Sequence, residues 1–468
     1  MLVAGNWVER EKTIKVFNPE NQELIATVPS ASKEDVALAI EEGIKGAEIA
    51  RKLSTNERMT ILNNVVKWIE ENQDLFLTTL VNESSKTIRE AKKEVKRCIE
   101  TIKISAEEAR RIHGKTIPFD QMEGNENRLG YYMKVPVGLI VAITPFNDPL
   151  NLVAHKLGPA IASGNAIILK PSSETPLSAL LLARAFKESG LPNEMLSVIT
   201  GSSREIGEVL VTHEAIRMIT FTGGYEAGED IFSKAKVKKI SMELGSNSPC
   251  IVLKDADFNL AVNSIVSGGF WAAGQNCLGV QRVYIEEDIF DKFKHELVLK
   301  TSFMKVGSKL EETSDMGPLI NEKEAIRVER LVESAKECGA ECLIGGKRNG
   351  TYYLPTVLTN VPPDHEIVTQ EIFGPVVIIE PIINLEEGIE KANNVSYGLQ
   401  AGIFTKNIEN AFHAVNTLNY GGVMVNDSSD FRIDAMPFGG MKKSGIGREG
   451  VPFTIEEMTE TRVVCFKI

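Results

Sequence analysis

The stretch that decides the fold lies at residues 137–176 and reads VGLIVAITPFNDPLNLVAHKLGPAIASGNAIILKPSSETP. An apolar run at 137–146 leads into a proline-containing turn, and apolar residues then recur at helical spacing over 152–164. A second apolar run at 165–170 leads into another proline-containing loop. Strands this apolar, separated by a helix, are typical of a parallel sheet covered on both faces. The stretch therefore predicts an α/β fold.

The same alternation continues along the chain. The helical and apolar patterns that follow lie at 176–190, 196–201, 204–213, 217–224 and 226–235. After residues 238–253 the alternation resumes from about 256 to 445, with helical patterns at 259–274 and 322–339. We expect two α/β units from this arrangement.

Two segments fit neither unit. Residues 113–138 have the pattern of a hairpin around a polar loop, and residues 460–468 have that of a terminal strand. An exposed hairpin and a lone strand have unpaired edges that need a partner. We therefore expect a third, small β module that mediates oligomerisation.

The composition excludes several classes of protein. Of 468 residues, 43% are hydrophobic and 25% charged, as in an ordinary globular protein, and the net charge of −12 argues against nucleic-acid binding. No apolar run is long enough to span a membrane, and the N-terminus lacks the pattern of a signal peptide. The six cysteines are too scattered for a disulfide scaffold or a zinc site. We expect a cytoplasmic protein with reduced thiols, without metal and without a nucleic-acid or membrane partner.

One cysteine has unusual surroundings. Residues 272–279 read AAGQNCLG, which places Cys277 among small and polar neighbours. A thiol with open access and nearby backbone N–H groups is a candidate nucleophile, although free cysteine is also a common buried filler.

Glycines and polar residues follow several apolar runs. Gly223 and Gly224 end a run before a helical pattern, where free N–H groups could bind an anion, although a plain turn would look the same. The loop after Lys170 could bind a ribose or its phosphate, although a lysine at a strand end is often simply solvated. Its polar residues are Ser172, Ser173 and Glu174.

Two further residues could serve in acid–base or oxyanion chemistry. Glu243 follows an apolar strand and precedes a glycine turn, so it is either a general base of raised pKa or an exposed loop residue. Asn147, in the rigid loop TPFNDP, could donate to an oxyanion, although it could also be a turn residue.

Seven motifs occur together in one order: TPFNDP, LKPSSETP, FTGGYEAG, MELGSNSP, GQNCLG, EIFGPV (371–376) and MPFGGMKKSGIGREG (436–450). In this order and spacing the chain resembles the NAD(P)-dependent aldehyde dehydrogenase superfamily over nearly its whole length. The stretch NDSSDFRIDAMPFGG (426–440) is most similar to the branch of lactaldehyde and non-phosphorylating glyceraldehyde-3-phosphate dehydrogenases.

This resemblance implies an aldehyde dehydrogenase-like α/β fold in three parts. The Rossmann-type NAD(P)-binding domain would comprise residues 1–112 and 139–244, and the catalytic domain residues 245–445. The oligomerisation module would comprise residues 113–138 and 446–468. In this superfamily the tail strand joins the sheet of a neighbouring subunit, so we expect a homodimer or homotetramer.

The resemblance also implies the roles of the candidate residues. Cys277 would attack the aldehyde as a thiolate, its backbone N–H and the Asn147 amide would hold the oxyanion, and Glu243 would activate the water that hydrolyses the thioester. The residues implied to bind the cofactor are Thr144, Pro145, Phe146, Lys170, Ser172, Ser173, Glu174, Gly201, Phe221, Gly223, Gly224, Leu244, Glu371 and Phe373.

Departures from the family pattern concern cofactor and substrate. Ser173 stands where members that prefer NAD usually carry glutamate, so NADP should be accepted and could be preferred over NAD, although the neighbouring Glu174 leaves this open. Asp148 stands where many members carry an aromatic residue, which suggests a polar, hydroxylated substrate, although it could instead cap the next helix.

The other substrate-binding candidates are Arg432, Phe438 and Arg97, and for Arg97 a surface salt bridge is the alternative. His155 is expected to be a core histidine.

The predicted activity is oxidation of a small polar aldehyde, resembling lactaldehyde or glyceraldehyde 3-phosphate, to its acid. Alternatives within the same chemistry are succinate semialdehyde and sulfonated or phosphonated aldehydes. Transfer of the thioester to coenzyme A, a binding protein without activity and a cysteine hydrolase are alternatives of other classes. Glu243 argues against coenzyme A transfer, and the joint presence of Cys277, Asn147 and Glu243 argues against an inactive protein.

Overall fold

The computed structural model describes all 468 residues. Its strands are β1 (Leu2–Val3), β2 (Asn6–Trp7), β3 (Thr13–Phe17), β4 (Leu24–Pro29), β5 (Lys115–Ile117), β6 (Arg128–Pro136), β7 (Leu139–Ile143), β8 (Ala166–Lys170), β9 (Leu196–Val198), β10 (Met218–Thr222), β11 (Lys239–Glu243), β12 (Ser248–Val252), β13 (Val280–Glu286), β14 (Glu341–Ile344), β15 (Arg348–Asn349), β16 (Tyr352–Tyr353), β17 (Thr356–Thr359), β18 (Val376–Ile382), β19 (Gln400–Phe404), β20 (Gly422–Val425), β21 (Gly445–Ile446) and β22 (Thr459–Lys467). Its α-helices are α1 (Lys33–Lys52), α2 (Thr55–Glu71), α3 (Gln73–Glu83), α4 (Ile88–Glu108), α5 (Asn151–Ala162), α6 (Leu177–Glu188), α7 (Ser203–Thr212), α8 (Tyr225–Lys234), α9 (Phe258–Phe270), α10 (Glu287–Ser302), α11 (Glu322–Glu337), α12 (Glu366–Thr369), α13 (Leu385–Asn393), α14 (Ile408–Thr417) and α15 (Val451–Glu457). None of these helices has the length and apolar composition needed to cross a membrane.

The first sheet has eight strands in the order β2-β1-β9-β8-β7-β10-β11-β21. Its five central strands are parallel, and the outer strands pair antiparallel. Side chains along β7 point alternately to the two faces: Leu139 and Val141 belong to one apolar cluster, and Ile140 and Ala142 to the other. Helices cover both faces, which explains the uninterrupted apolar runs in the sequence.

The second sheet has seven strands in the order β14-β17-β18-β13-β12-β19-β20. All its pairs are parallel except β14 with β17. Cys250 and Ile251 of β12 again face opposite clusters, one built with α9 to α11 and the other with α13 and α14. The chain thus contains two α/β layers, in agreement with the predicted fold class.

The tail strand corrects one expectation. The sequence predicts a lone strand with unpaired edges, whereas β22 pairs antiparallel with β6 of its own chain, from Thr459 opposite Pro136 to Lys467 opposite Arg128. With β5 on the other side of β6, the module is a three-stranded sheet, β22-β6-β5. Only its outer edges, β5 and the far side of β22, remain for another chain.

The contacts of residues 445–458 bear on the last domain boundary. Strand β21 pairs with β11 at the edge of the first sheet, and α15 packs against α4 and α5. The buried side chains of Val451 and Ile455 accordingly belong to the core of the first unit. These contacts favour starting the oligomerisation module at Thr459 rather than at residue 446, and the three-part division itself stays a prediction.

The predicted helix at 259–274 is too long. Helix α9 ends at Phe270, and Ala272 and Ala273 adopt left-handed backbone conformations with φ of 52° and 53°. The Ala272 N–H donates to the buried Glu90 carboxylate at 2.7 Å, which holds this unfavourable conformation in place. The chain therefore leaves the helical path just before Cys277.

The carboxyl ends of the parallel strands β7, β8, β10 and β11 meet at one edge of the first sheet. In open α/β sheets this edge is where ligands bind. After Glu243, which ends β11, the chain crosses through Leu244 to Asn247 into β12 of the second sheet. The two sheets therefore meet at the point where the candidate residues gather.

Candidate active site

A cavity of about 790 Å³ lies where the two sheets meet. It brings together residues that are far apart in the sequence, from both α/β units. The predicted site residues that line it are Pro145, Phe146, Asn147, Gly223, Gly224, Glu243, Leu244, Cys277, Glu371, Phe373 and Phe438. A cavity of this size is in the range of small-molecule and cofactor sites, which is about 300–1,000 Å³.

Cys277 lies in the loop between the kink after α9 and the start of β13. Its side chain is half-buried and packs against the apolar cluster of Leu278, Leu399 and Phe438. Burial raises the pKa of the Cys277 thiol to about 12, while the positive charge of Arg432 acts in the opposite direction. The free thiol lines the cavity, so Cys277 is not a cysteine that merely fills space in a hydrophobic core.

Glu243 is buried at the end of β11, and neither of its carboxylate oxygens has a hydrogen-bond partner. Burial raises its pKa well above the usual range, and the negative charge of Glu449 adds to this shift. A Cβ atom on Gly439 would lie 2.8 Å from Oε1, so the glycine leaves room for the carboxylate. A carboxylate of raised pKa facing a cavity is suited to accept a proton, and the alternative of an exposed loop residue is wrong.

Behind Glu243 lies a buried ion cluster. The fully buried ammonium of Lys156 contacts Glu449 and donates to Thr220 at 2.8 Å. Glu449 also accepts from Thr222 at 3.0 Å and lies 3.3 Å from Arg432. Burial alone would raise the pKa of Glu449, but the charges of Lys156 and Arg432 outweigh burial and hold it well below its usual range. Glu449 is therefore ionised beside Glu243.

The turn that carries Asn147 is held from helix α4. Asp148 does not cap α5, because its carboxylate pairs with the fully buried Lys86. Glu94 of α4 caps that helix instead, accepting from the backbone N–H groups of Leu150 at 2.8 Å and Asn151 at 3.0 Å. Its other oxygen lies 2.9 Å from Lys86, so one pair of buried charges fixes both the turn and the helix start.

Arg97 connects this turn to the loop before β21. Its guanidinium donates to Asp434 at 2.8 and 3.3 Å and to Asp148 at 3.3 Å. His155 is completely buried, with Nε2 2.8 Å from the same Asp434, as expected of a core histidine. The salt bridge suggested for Arg97 exists, but it is partly buried rather than fully at the surface, because only 30% of the side chain is exposed.

Arg432 lies close to the reacting groups. Its guanidinium stacks on the ring of Phe438 at 3.7 Å, and its buried Nε has no hydrogen-bond partner. Its charge lowers the pKa of both Cys277 and Glu243, against the larger effect of burial. Arg432 therefore acts electrostatically on Cys277 and Glu243 without lining the cavity.

The other end of the cavity has the features of a dinucleotide site. Gly224 precedes the first residue of α8 and supplies no side-chain cap. A Cβ atom on Gly224 would meet no atom within 4 Å, so the N–H groups at the start of α8 are open to a ligand. A Cβ atom on Gly223 would clash with Phe221 at 2.5 Å. Burial lowers the pKa of Lys170 to about 8, and its amine makes only a long contact of 3.4 Å with the Pro171 carbonyl.

Glu371 and two aromatic rings complete this end. Glu371 accepts from the Ser246 N–H at 2.9 Å, and burial raises its pKa to about 7. A Cβ atom on Gly245 would lie 2.6 Å from the Glu371 carboxylate, so the glycine leaves room for the carboxylate in this position. Phe146 and Phe373 meet edge-on with 5.8 Å between ring centres.

Other predicted residues lie outside the lining of the cavity: Thr144, Lys170, Ser172, Ser173, Glu174, Gly201, Phe221, Asp148, Arg97 and Arg432. Ser173 donates to the Gly201 carbonyl at 3.3 Å, so these two predicted cofactor residues are neighbours. Glu174 is exposed, and its carboxyl lies near Asn321 at the start of α11.

The charged residues that support the site were not predicted from the sequence. These are Lys86, Glu94, Lys156, Asp434 and Glu449. A signal existed for Lys156, a charged residue inside the almost entirely apolar helical pattern at 152–164. Glu94 and Lys86 lie in a segment rich in charges, where nothing in the sequence separates buried from solvated residues.

Comparison with known proteins now identifies the family. The sequence matches the profile of the aldehyde dehydrogenase family over residues 7–464. The chain belongs to this family. It is 45% identical to 3-sulfolactaldehyde dehydrogenase of Priestia aryabhattai, over 100% of this chain and 98% of the relative. It is 40% identical to lactaldehyde dehydrogenase of Methanococcus maripaludis, with 99% of each covered.

A solved aldehyde dehydrogenase structure has the same fold. The glyceraldehyde-3-phosphate dehydrogenase GapN of Methanocaldococcus jannaschii, complexed with NADP, superimposes with a TM-score of 0.95 at 40% identity, covering 98% of this chain and 100% of that one. These similarities confirm the superfamily and the lactaldehyde and GapN branch. The protein is an NAD(P)-dependent aldehyde dehydrogenase.

The residues of this chain fit a nicotinamide dinucleotide. The uncapped start of α8 offers N–H groups and a partial positive charge to the pyrophosphate, and the open space at Gly224 admits it. The buried amine of Lys170, which lacks a close partner, can donate to a ribose hydroxyl. Glu371 can accept from the other ribose. Which atoms these residues contact stays a prediction.

Proposed function

We propose that the protein oxidises a small polar 2-hydroxyaldehyde, with or without an anionic tail, to its carboxylic acid through a thioester on Cys277. The observation that carries this proposal is the meeting of Cys277, Asn147 and Glu243 in one cavity, beside the ion network of Asp148 and Arg97. The names of the relatives, which act on lactaldehyde and 3-sulfolactaldehyde, support the same substrate class.

Cys277 adds to the aldehyde carbon, and the thiol proton leaves to a base as the carbon–sulfur bond forms. Glu243 is suited to accept that proton because its raised pKa makes its carboxylate a stronger base than an exposed one. Asn147 and the Cys277 N–H would donate to the oxyanion. Bound NAD(P) supplies the hydride acceptor that converts the thiohemiacetal to a thioester. Glu243 then releases the thiol proton to solvent, and as a carboxylate again it deprotonates the water that hydrolyses the thioester and releases the acid.

The ion network has donors left for a substrate tail. Arg97 has five N–H donors and uses three in its bonds to Asp148 and Asp434. The remaining two can bind oxygens of a carboxylate, sulfonate or phosphate, and the partly exposed guanidinium is accessible to them. The carboxylate of Asp148 can accept a further hydrogen bond from a 2-hydroxyl group. We assign the tail to Arg97, while the charge of Arg432 acts on the reacting groups.

NADP should be used at least as well as NAD. Ser173 places a hydroxyl beside Gly201, where a glutamate would repel a 2′-phosphate. Glu174 lies towards Asn321 and does not replace that glutamate.

We also propose a cytoplasmic homodimer or homotetramer. The six cysteines are all free, as in a reducing compartment. Strand β22 is an outer strand with exposed Val463 and Phe466 on its faces, and its free edge is suited to pair with a strand of a second copy. Size-exclusion chromatography with light scattering measures the mass directly, and a monomer would contradict this proposal.

The activity is tested by following absorbance at 340 nm with NAD and NADP in parallel. The panel comprises lactaldehyde, 3-sulfolactaldehyde, glyceraldehyde 3-phosphate, succinate semialdehyde and propanal, each with and without coenzyme A. We expect the 2-hydroxyaldehydes to exceed propanal in kcat/KM by at least tenfold without coenzyme A. Cys277→Ala should abolish turnover, and Cys338→Ala, a change at an exposed cysteine outside the cavity lining, should leave it intact.

Two results would contradict the proposal. If propanal is oxidised as efficiently as lactaldehyde, the pocket does not select polar substrates. Turnover that appears only when coenzyme A is present would indicate acyl transfer and not hydrolysis. Glu243→Gln tests this base in both steps: cofactor reduction and acid release should slow together, because Glu243 accepts first the thiol proton and later that of water.

A further inference from the structure

A second cavity, of about 360 Å³, lies apart from the catalytic cavity. It is bounded by the end of α1, the start of α2, the turn after α5 and the strands β6 and β22. The two cavities share no lining residue. Its volume is within the range of small-molecule sites, at the lower end.

The charges that line this cavity all have one sign. Arg51, Arg58, Lys134 and Arg462 line it, and no aspartate or glutamate does. The chain as a whole carries a net charge of −12, so such a cluster is not a reflection of its average composition. Like charges gathered around a concave surface repel one another and favour an anion between them.

Arg58 is fixed in place at the base of the cavity. It donates to the Ala162 carbonyl at the end of α5 at 2.7 Å and to the Thr55 hydroxyl at 3.1 Å. A Cβ atom on Gly164, which has a φ of +80°, would lie 3.0 Å from the guanidinium, so the glycine leaves room for it. Neither hydrogen-bond partner carries a charge, so the positive charge of Arg58 is uncompensated there.

The other three basic side chains are free to turn towards a ligand. Arg51 pairs with Glu48 at 3.4 Å and Lys134 with Glu456 at 3.4 Å, and both carboxylates are more than half exposed. Exposed pairs of this kind contribute little and exchange readily for a better partner. Arg462 is exposed on β22, opposite Met133 of β6.

We propose that this basic cavity binds a small phosphorylated metabolite with at least two negative charges. Guanidinium groups match the geometry of phosphate oxygens and bind them in pairs. Three arginines and a lysine can together neutralise a diphosphate or a bisphosphate. Because no carboxylate lines the cavity, no negative side chain there would repel the bound anion. The hydroxyl of Thr55, at the start of α2, can accept or donate a further hydrogen bond.

The proposal is tested by titrating inorganic pyrophosphate into the full-length protein in a calorimeter. The protein is first saturated with NADP, so that the dinucleotide site cannot take up the probe. We expect binding at one site per chain, which weakens as the salt concentration rises. The double variant R51Q/R462Q should bind pyrophosphate at least tenfold more weakly, because two charged contacts are lost and Arg58 remains to hold α5.

A matched control is Arg184→Gln, which removes an exposed arginine that pairs with Glu188 on α6, away from this cavity. Its affinity for pyrophosphate should equal that of the unmodified protein, and both variants should retain the unmodified aldehyde oxidation rate without probe. No binding to the unmodified protein, or equal binding to R51Q/R462Q, would overturn the proposal. Neither result depends on which aldehyde is oxidised, so this experiment tests the basic cavity independently of the proposed function.

Discussion

Replacing Arg97 by glutamine should weaken the oxidation of anionic aldehydes more than that of neutral ones. In the structure Arg97 keeps two N–H donors beyond the three that it uses. Losing a hydrogen bond between charged groups costs about 1.5–3 kcal/mol, which corresponds to a fall of about 10- to 100-fold in kcat/KM. The fold should persist, since Asp148 retains Lys86, and Asp434 retains His155.

The assay compares kcat/KM for 3-sulfolactaldehyde and lactaldehyde, which differ in the sulfonate. We expect the ratio of the two values to fall by about 10- to 100-fold in Arg97→Gln. Arg97→Lys should recover part of the loss, because lysine keeps the charge but not the paired donors. Arg89→Gln, on the same helix but paired with Asp315 at the surface, should leave the ratio unchanged. An equal loss for both aldehydes would refute the reasoning and make Arg97 a residue that only positions the turn.

Three further predictions concern neighbouring parts of the site. Glu449→Gln should move the acidic limb of the kcat profile to lower pH by about one unit. The negative charge of Glu449 raises the pKa of Glu243, so removing that charge lowers the pKa. A limb that moves to higher pH would contradict this. Ser173→Glu should lower the NADP to NAD ratio of kcat/KM at least tenfold by repelling the 2′-phosphate, and an unchanged ratio would place that phosphate elsewhere. Glu94→Gln should lower the free energy of unfolding in urea by about 3 kcal/mol, because it breaks a buried ion pair. Glu57→Gln, at an exposed capping box, should lower it by less than about 1 kcal/mol. Equal losses would mean that the buried pair contributes no more to stability than the exposed capping box.

The fold class could be predicted because its signal is local. Apolar strands such as β7 and β8 are buried on both faces, so their sequence contains no polar alternation to obscure them. The ends of elements were less predictable where a distant residue decides them. Helix α9 ends at Phe270 because the Ala272 N–H donates to the Glu90 carboxylate, and nothing in the sequence of residues 259–274 predicts that contact.

The candidate site shows the same division. Cys277, Glu243 and Asn147 stand in short motifs with distinctive neighbours, and the cavity indeed brings them together. Their supporting charges come from other helices and loops, and an ordinary charged helix face looks identical in sequence to one turned inward. Glu94 is an example, since it lies on a helix with many solvated lysines and is nevertheless completely buried.

The placement of the two arginines supports our proposal that an anionic tail binds at Arg97. Arg97 is not among the main charges that shift the pKa of Cys277 or Glu243, so an anion bound to its free donors should affect these two groups less than one bound to Arg432. Arg432 lowers the pKa of both Cys277 and Glu243, and an anion bound to it would cancel this effect. The thiol, whose pKa burial already raises to about 12, would then lose the cation that opposes burial most. Binding the tail at Arg97 would therefore leave the contacts of Arg432 with Glu449 and Phe438 unchanged and keep its effect on Cys277 while an anionic substrate is bound.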